Sequence, residues 1–411
     1  MYMRLLRRTP LRFKVTFRIL IDSSISITFS FLNGVLHSNF HPPVWNILNS
    51  KAFTQVSALL SIMRYADRVK RIRDILASEE ADLFMVKDPK NVLYLTGFEG
   101  GRLFITQDDD PLLIVSALSF EEAEDSAYGV RIQKVPVSES MKDFSLKVLN
   151  SFKPHILLYD DLSVSDYLSL GNSGFKLKDG SNHISHLRRR KDEKEVECMV
   201  KAAELTGELM EVLIEQAKPG VRENDLAREA DIFVRARGLE YAFPIIVVSG
   251  FRSSNPHGKP SLKAISEGEP VTIDLGVKYG GYCVDMTRSF IVGRNPEYES
   301  ILEYVASTQE KALNYVKAGV QCRDIDKVAR DFLDSRGYGE LFIHSLGHGV
   351  GLDIHETPSL NPFSKDALME NEVVTIEPGI YIRKKFGCRV EDTVLVLKDG
   401  CKILTYHDRD Q

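Results

Sequence analysis

From residue 64 onward, apolar positions follow the helical and strand periods in alternation. Val69, Ile72, Ile75 and Leu76 recur at helical spacing, and the run ADLFMV that follows has the length of a strand. RLFIT and LLIVS flank Asp108-Asp109-Asp110-Pro111, a turn composition that predicts an antiparallel pair. A helix starting near Ser119, a strand VRIQKV, a further helix and a strand ILLYD complete an α/β domain expected over residues 63–187. The segment LRRRKDEK from Leu187 to Lys194 reads as a solvated, charge-rich joint, and a second domain is expected over 188–411. There the apolar positions keep helical spacing from Glu193 to Lys218, Pro219-Gly220 stops the helix, and a second helix ends at Gly238.

This second half repeats itself. Lys218 to Gly238 aligns without gaps on Lys317 to Gly337, with eight identities in 21 positions at an offset of 99. VTIDLG around Asp274 returns as VTIEPG around Glu377, and VDMT around Asp285 returns as VEDT around Glu391. Each half places helices before strands, so two halves facing each other about a pseudo-two-fold axis predict a curved sheet jacketed by helices. The four acids would then meet on its inner face. Clustered carboxylates repel one another at neutral pH, and a pair of metal ions is the natural source of compensating charge.

The alternation within the strands supports this. Val271, Ile273 and Leu275 point one way while Thr272 and Asp274 point the other, and Thr375 with Glu377 and Glu391 with Thr393 repeat the pattern. A two-residue turn at Tyr279-Gly280 would set Asp274 directly opposite Asp285. A single strand acid is ordinarily just exposed, but four in duplicated register argue for a site. The string HSLGHGVGLDIHE, from His344 to Glu356, offers three histidines and close backbone approach at its glycines, and a fifth ligand is expected from it. Oxygen-rich donors with one imidazole suit manganese, cobalt or iron better than they suit structural zinc. Two such ions, roughly 3.5–4 Å apart, activate a shared hydroxide at neutral pH.

Composition narrows the class. The 411 residues are 43% hydrophobic, enough for more than one ordinary core. Residues 1–62 hold seven Lys or Arg and one acid, leaving 46 basic against 57 acidic residues beyond them. So acidic a body lacks the basic footprint of a nucleic-acid surface. Ile19 to Leu36 resembles an anchor superficially, but Asp22 and five hydroxyl residues interrupt it, so no membrane role is expected. Residues 25–31 alternate as a strand without a partner, residues 1–62 as a whole read as an unstructured extension, and Met63 opens the first helix. Five scattered cysteines without a CxxC predict neither a disulfide framework nor a zinc knuckle and point to a reducing cytoplasm.

The motifs NPHG (255–258), VTIDLG, DMTRSF, GHGVGLDIHE, TIEPGIY and RVEDTVLV together resemble those of the pita-bread metallopeptidases, a family that includes Xaa-Pro dipeptidases (prolidases), aminopeptidases P and methionine aminopeptidases. The resemblance runs from about Met63 to the C-terminus. It implies a creatinase-like α/β N-terminal domain and an α+β pita-bread catalytic domain with internal pseudo-two-fold symmetry. It also implies a dinuclear site of Asp274, Asp285, His348, Glu377 and Glu391 holding two divalent ions (Mn, Co, Fe or Zn, with manganese favoured). His257, His355 and Glu377 match the catalytic positions of the family, His344 a substrate-pocket histidine, and Tyr381 and Arg389 residues that orient ligands. DPKNVLYLTGF at 88–98 resembles the N-terminal domain of enzymes that cut before proline, which methionine aminopeptidases generally lack; creatinases share both domains but not the ligand set. Small peptides are the implied substrates, with Xaa-Pro dipeptidase the first reading, aminopeptidase P the second, and a catalytically silent peptide-binding protein on the same scaffold the third. Family members commonly dimerise. The arginine that follows HExP in prolidases is replaced here, where HETP precedes Ser359 and Leu360.

Overall fold

A computed structural model describes the backbone of residues 2–3, 15–21, 25–32, 35–37 and 52–405, with side-chain surroundings for 64–405. The chain divides into two units, 1–67 and 68–411. In the first, Val15–Ile21 and Val35–His37 pair antiparallel with Ile25–Leu32. The strand expected over 25–31 therefore does have partners, because Val15, Phe17, Ile19 and Ile21 alternate in the same way just upstream. Tyr2–Met3 pairs antiparallel with Val15–Ile21 and residues 52–62 are helical, so these parts are structured where an unstructured extension was expected; the remainder of 1–62 lies outside the described residues. Met63 does not open a helix; it falls inside helix Ala52–Ser78, and no Gly or Pro between Val44 and Met63 delays the start.

The second unit begins with a six-stranded sheet in the order Lys176–Asp179, Ile156–Tyr159, Leu83–Val86, Arg102–Thr106, Leu112–Val115, Arg131–Lys134. Every residue of Leu83–Val86 and Leu112–Val115 is buried, as continuous apolar runs require, while the two outer strands carry exposed lysines that protect the edges. The expected hairpin across 108–111 is present, with Phe104 opposite Leu112.

Beyond it lie helices Glu193–Gln216 and Glu223–Ala236, then Pro296–Leu313 and Cys322–Asp334, and an eight-stranded antiparallel sheet. Asp192 and Glu195 form the capping box that starts the first of these helices. In the sheet, Glu269–Leu275 pairs with Met286–Val292 in one half and Val373–Ile376 with Glu391–Leu397 in the other. The halves join where Met286 and Thr287 face Asp392 and Glu391. That seam places duplicated acids side by side.

The hairpin register differs from expectation. Its two turn residues are Gly280 and Gly281, with φ of 58° and 86°, so Asp274 stands opposite Thr287 and not Asp285. A tight hairpin turn that follows strand twist needs positive φ at both central residues, which the Gly-Gly pair supplies and Tyr279 would resist.

The joint at 187–194 is solvated only in part, at Arg190, Glu193 and Lys194. Arg188, Arg189 and Lys191 are buried, and each meets acids. Arg189 donates from Nε to Glu372 Oε1 (2.5 Å), from Nη1 to Asp366 (2.8 Å) and from Nη2 to the Ala367 carbonyl (3.0 Å). The partners lie some 180 residues downstream, so nothing local marks these cations as internal. Because Glu372 is only 1% exposed, Arg189→Met strands a buried charge and should cost about 3 kcal/mol or more; Arg189→Met/Glu372→Gln should recover much of that in urea denaturation midpoints.

Candidate metal centre

Asp274, Thr287 and Glu391 stand opposite one another on three adjacent strands, so their side chains leave one face of the sheet. Asp285 enters strand Met286–Val292 and is seated by Thr393, whose hydroxyl accepts from the Asp285 N–H (3.0 Å) and donates to its carbonyl (2.8 Å). Thr375, opposite Thr393, donates to Glu377 Oε1 (3.2 Å) and accepts from the His348 N–H (3.0 Å). Threonine thus recurs beside the acids, small enough for the inner face and able to anchor a neighbour. Thr287 completes the set by donating to Glu391 Oε2 at 2.6 Å. Its place two residues after Asp285 was the only sequence signal for that role.

His348 Nδ1 lies 3.0 Å from the Gly349 carbonyl, which fixes the proton there and turns the Nε2 lone pair toward Asp285 Oδ2 (3.7 Å) and Glu377 Oε1 (3.5 Å). The ligand atoms of Asp285, His348 and Glu391 lie within 4.8 Å of one another. Asp274 is drawn aside by Arg389, which donates from Nη2 to its Oδ2, from Nη1 to Tyr381 Oη (3.0 Å) and from Nε to Thr287 Oγ1 (3.1 Å). His344 joins the same group, with Nε2 3.0 Å from Tyr381 Oη and Nδ1 2.8 Å from the Ser345 carbonyl. His355 is exposed at the cavity with its ring 4.3 Å from that of His348. His257, also exposed, follows the short helical turn Gly250–Ser254 and lines the same cavity.

The electrostatics follow from crowding under burial. Burial and then the neighbouring acids raise Asp285 and Glu391 well above the usual carboxylate range. Burial raises Glu377 to about 7, with Arg389 opposing and Asp274 adding. Burial lowers His348 to about 4 and His344 to about 3, so both rings are neutral at pH 7. One oxygen each of Asp274, Asp285 and Glu391 is buried with no hydrogen-bond partner among the described residues. Three partnerless carboxylate oxygens beside a free imidazole lone pair fit divalent cations, since orphaned buried acceptors are otherwise rare.

Comparison with known proteins agrees with this chemistry. Residues 197–398 match the model of metallopeptidase family M24, and residues 68–190 match the creatinase/prolidase N-terminal domain. The Xaa-Pro dipeptidase of Pyrococcus furiosus is 34% identical over 362 residues, covering 84% of this chain and 99% of that protein. The chain belongs to metallopeptidase family M24. Among solved structures, the Xaa-Pro dipeptidase from Bacillus anthracis superposes with a TM-score of 0.80 at 31% identity, covering 84% of this chain and 99% of that one. The X-Pro aminopeptidase from Thermotoga maritima reaches 0.75 at 32% identity, covering 80% and 97%. The two-domain pita-bread architecture expected from the motifs is thereby established.

Removing one of the crowded acids should separate folding from metal binding. Asp285→Asn should raise the melting temperature of metal-stripped protein by removing the cost of burying or protonating one carboxylate on folding. It should also abolish most of the rise on adding manganese, which for a ligand at 100 times its Kd amounts to about 2.7 kcal/mol. Thermal scans with and without metal test both signs.

Proposed function

We propose that the protein is a metal-dependent peptidase that hydrolyses the bond preceding proline, with Xaa-Pro dipeptides as its substrates. The observation that carries this reading is the convergence of partnerless oxygens on Asp274, Asp285 and Glu391 with His348 in a cavity also lined by His257, His355 and Glu377. The names of its M24 relatives supply the substrate class.

Asp274, Asp285, His348, Glu377 and Glu391 would hold two divalent cations, manganese favoured by the hard oxygen donors. When bound, the cations supply polarisation of the scissile carbonyl and an acidified water. Glu377, held by Thr375, takes the proton of the attacking water and delivers it to the leaving proline nitrogen. His257 and His355 donate imidazole N–H groups to the carbonyl oxygen as charge develops on it. His344, held by Tyr381, forms part of the substrate wall, and Arg389 orients Asp274. The proposal includes a cytoplasmic setting and a homodimer, the former supported by five cysteines that form no disulfide among the described residues.

One observation favours a second reading, cleavage of longer peptides as an X-Pro aminopeptidase. Among the described residues, the cavity wall on the side of Ile343, Thr357 and Ser359 holds no Lys or Arg except Arg389, which is already bound to Asp274, while Lys259 lines the side of Phe243 and Pro244; no free cation beside Ser359 awaits a dipeptide carboxylate. Ala-Pro and Ala-Pro-Ala, offered to metal-stripped protein before and after adding manganese, decide between them. Manganese-dependent release of proline from Ala-Pro supports the dipeptidase, and cleavage of Ala-Pro-Ala alone moves the assignment to the aminopeptidase. If neither is cut although metal binds, the peptidase reading fails. Asp285→Ala should lose activity by more than about a hundredfold together with its metal.

A further inference from the structure

The cation cluster at 188–191 does more than fill an interior. Strand Gly347–Gly349 pairs with Glu356–Leu360 through a register shift after His348, and residues 350–355 leave the sheet as a loop that ends on His355. The loop closes on its own last acid. Asp353 donates its N–H to Glu356 Oε1 (3.2 Å), and the Glu356 carboxylate packs against Gly351 so closely that a Cβ there would fall 2.5 Å from Oε2. The Glu356 side chain is only 8% exposed and needs cationic partners to remain inside.

Those partners come from the far side of the chain. Arg188 donates from Nη2 to both Glu356 Oε1 and Asp353 Oδ2, the latter at 2.6 Å, and Lys191 Nζ lies 3.2 Å from Glu356 Oε2. From Nη1 the same guanidinium donates to Asn91 Oδ1 (2.9 Å), and Asn91 in turn donates to Asp160 Oδ2 (2.9 Å) at the end of strand Ile156–Tyr159. A continuous chain of hydrogen bonds thus runs from the N-terminal sheet, through Arg188, to both acids of the loop that carries His355. His355 itself has no such anchor among the described residues; its ring is exposed and meets that of His348 at 4.3 Å.

We propose that Arg188 is a positioning residue, by which the N-terminal domain holds the 350–356 loop and so aims His355 at the scissile carbonyl. This rests on the role given to His355 above. It acts at a distance: Arg188 touches neither substrate nor ligand, and its effect passes through Glu356.

A double-mutant cycle on the manganese-loaded protein with its Xaa-Pro substrate tests it. Arg188→Met should lower kcat by about tenfold or more with KM little changed and metal content intact, since small misplacements of a group that stabilises the transition state fall on the chemical step. Arg188→Lys, which keeps the charge without the planar fork, should recover part of the loss. In a His355→Ala background Arg188→Met should cost nothing further. An undiminished cost in that background, or no cost in the single variant, overturns the proposal while leaving His355 its role. Full activity in His355→Ala alone overturns that role and the proposal with it. If Arg188→Met does not fold, Arg188→Lys carries the same cycle to the same readings. Amide exchange over 350–356 needs no turnover: protection unchanged by Arg188→Met or Arg188→Lys would overturn the clamp even in a protein that is not a peptidase.

Discussion

Mutual repulsion among buried carboxylates is the constraint around which the catalytic domain is arranged. Asp274, Asp285, Glu377 and Glu391 share one face of the sheet, and Arg389 is the fixed cation among them. One arginine cannot neutralise four acids, and its fork is spent on Asp274, Tyr381 and Thr287. The remaining charge must be relieved by protons or by metal; burial first, and then the neighbouring acids, raise the carboxyl groups of Asp285 and Glu391 well above the usual carboxylate range without a cation. The fold tolerates this because the strands bearing the acids are secured from the opposite face by Val271, Ile273, Leu275, Val374 and Ile376, all with no exposed surface. Apolar burial on one side of the sheet offsets electrostatic cost on the other.

Duplication explains how such a cluster comes to lie at a seam. Contact between Met286–Val292 and Glu391–Leu397 joins corresponding strands of the two repeats, and a repeated acid is thereby brought next to its counterpart. The same duplication recurs outside the sheet in a less exact form. At the head of helix Glu223–Ala236, the fully buried Glu223 accepts from the N–H and hydroxyl of both Ser249 and Ser261, pinning both ends of the segment that carries His257. On helix Cys322–Asp334, Asp326 accepts from the Leu346 N–H while Arg330 donates to the carbonyls of Phe342 and His344. Each repeat therefore uses a charged residue of its second helix to hold a loop bearing a histidine. The acids are set by strand register and the histidines by tethered loops.

How much of this was legible in the sequence follows from the range of each interaction. The acids, their polar-face partners Thr375 and Thr393, and the repeat could be read because strand alternation is local and the duplication stated it twice. The hairpin register could be missed by one position because Tyr279-Gly280-Gly281 offers two turns, and only the requirement for positive φ at both central residues selects the Gly-Gly pair. The cluster at 188–191 was misread for the opposite reason. Charge next to charge in sequence ordinarily means solvent, whereas here the compensating acids are Asp353, Glu356, Asp366 and Glu372, all more than 160 residues away. No periodicity or spacing encodes a pairing of that range.

Placing those cations inside has a consequence for how the two domains relate. A solvated joint would let the N-terminal sheet and the catalytic sheet move independently, as linkers usually do. Arg188, Arg189 and Lys191 instead commit the chain to one arrangement, because moving the joint would expose or strand Glu356 and Glu372, whose side chains are 8% and 1% exposed. A buried ion pair adds little net stability over apolar packing, but it penalises every alternative geometry heavily. The benefit of these pairs is thus specificity of arrangement more than strength. It falls where a loop carries the exposed His355 to a cavity whose acids are fixed by a sheet.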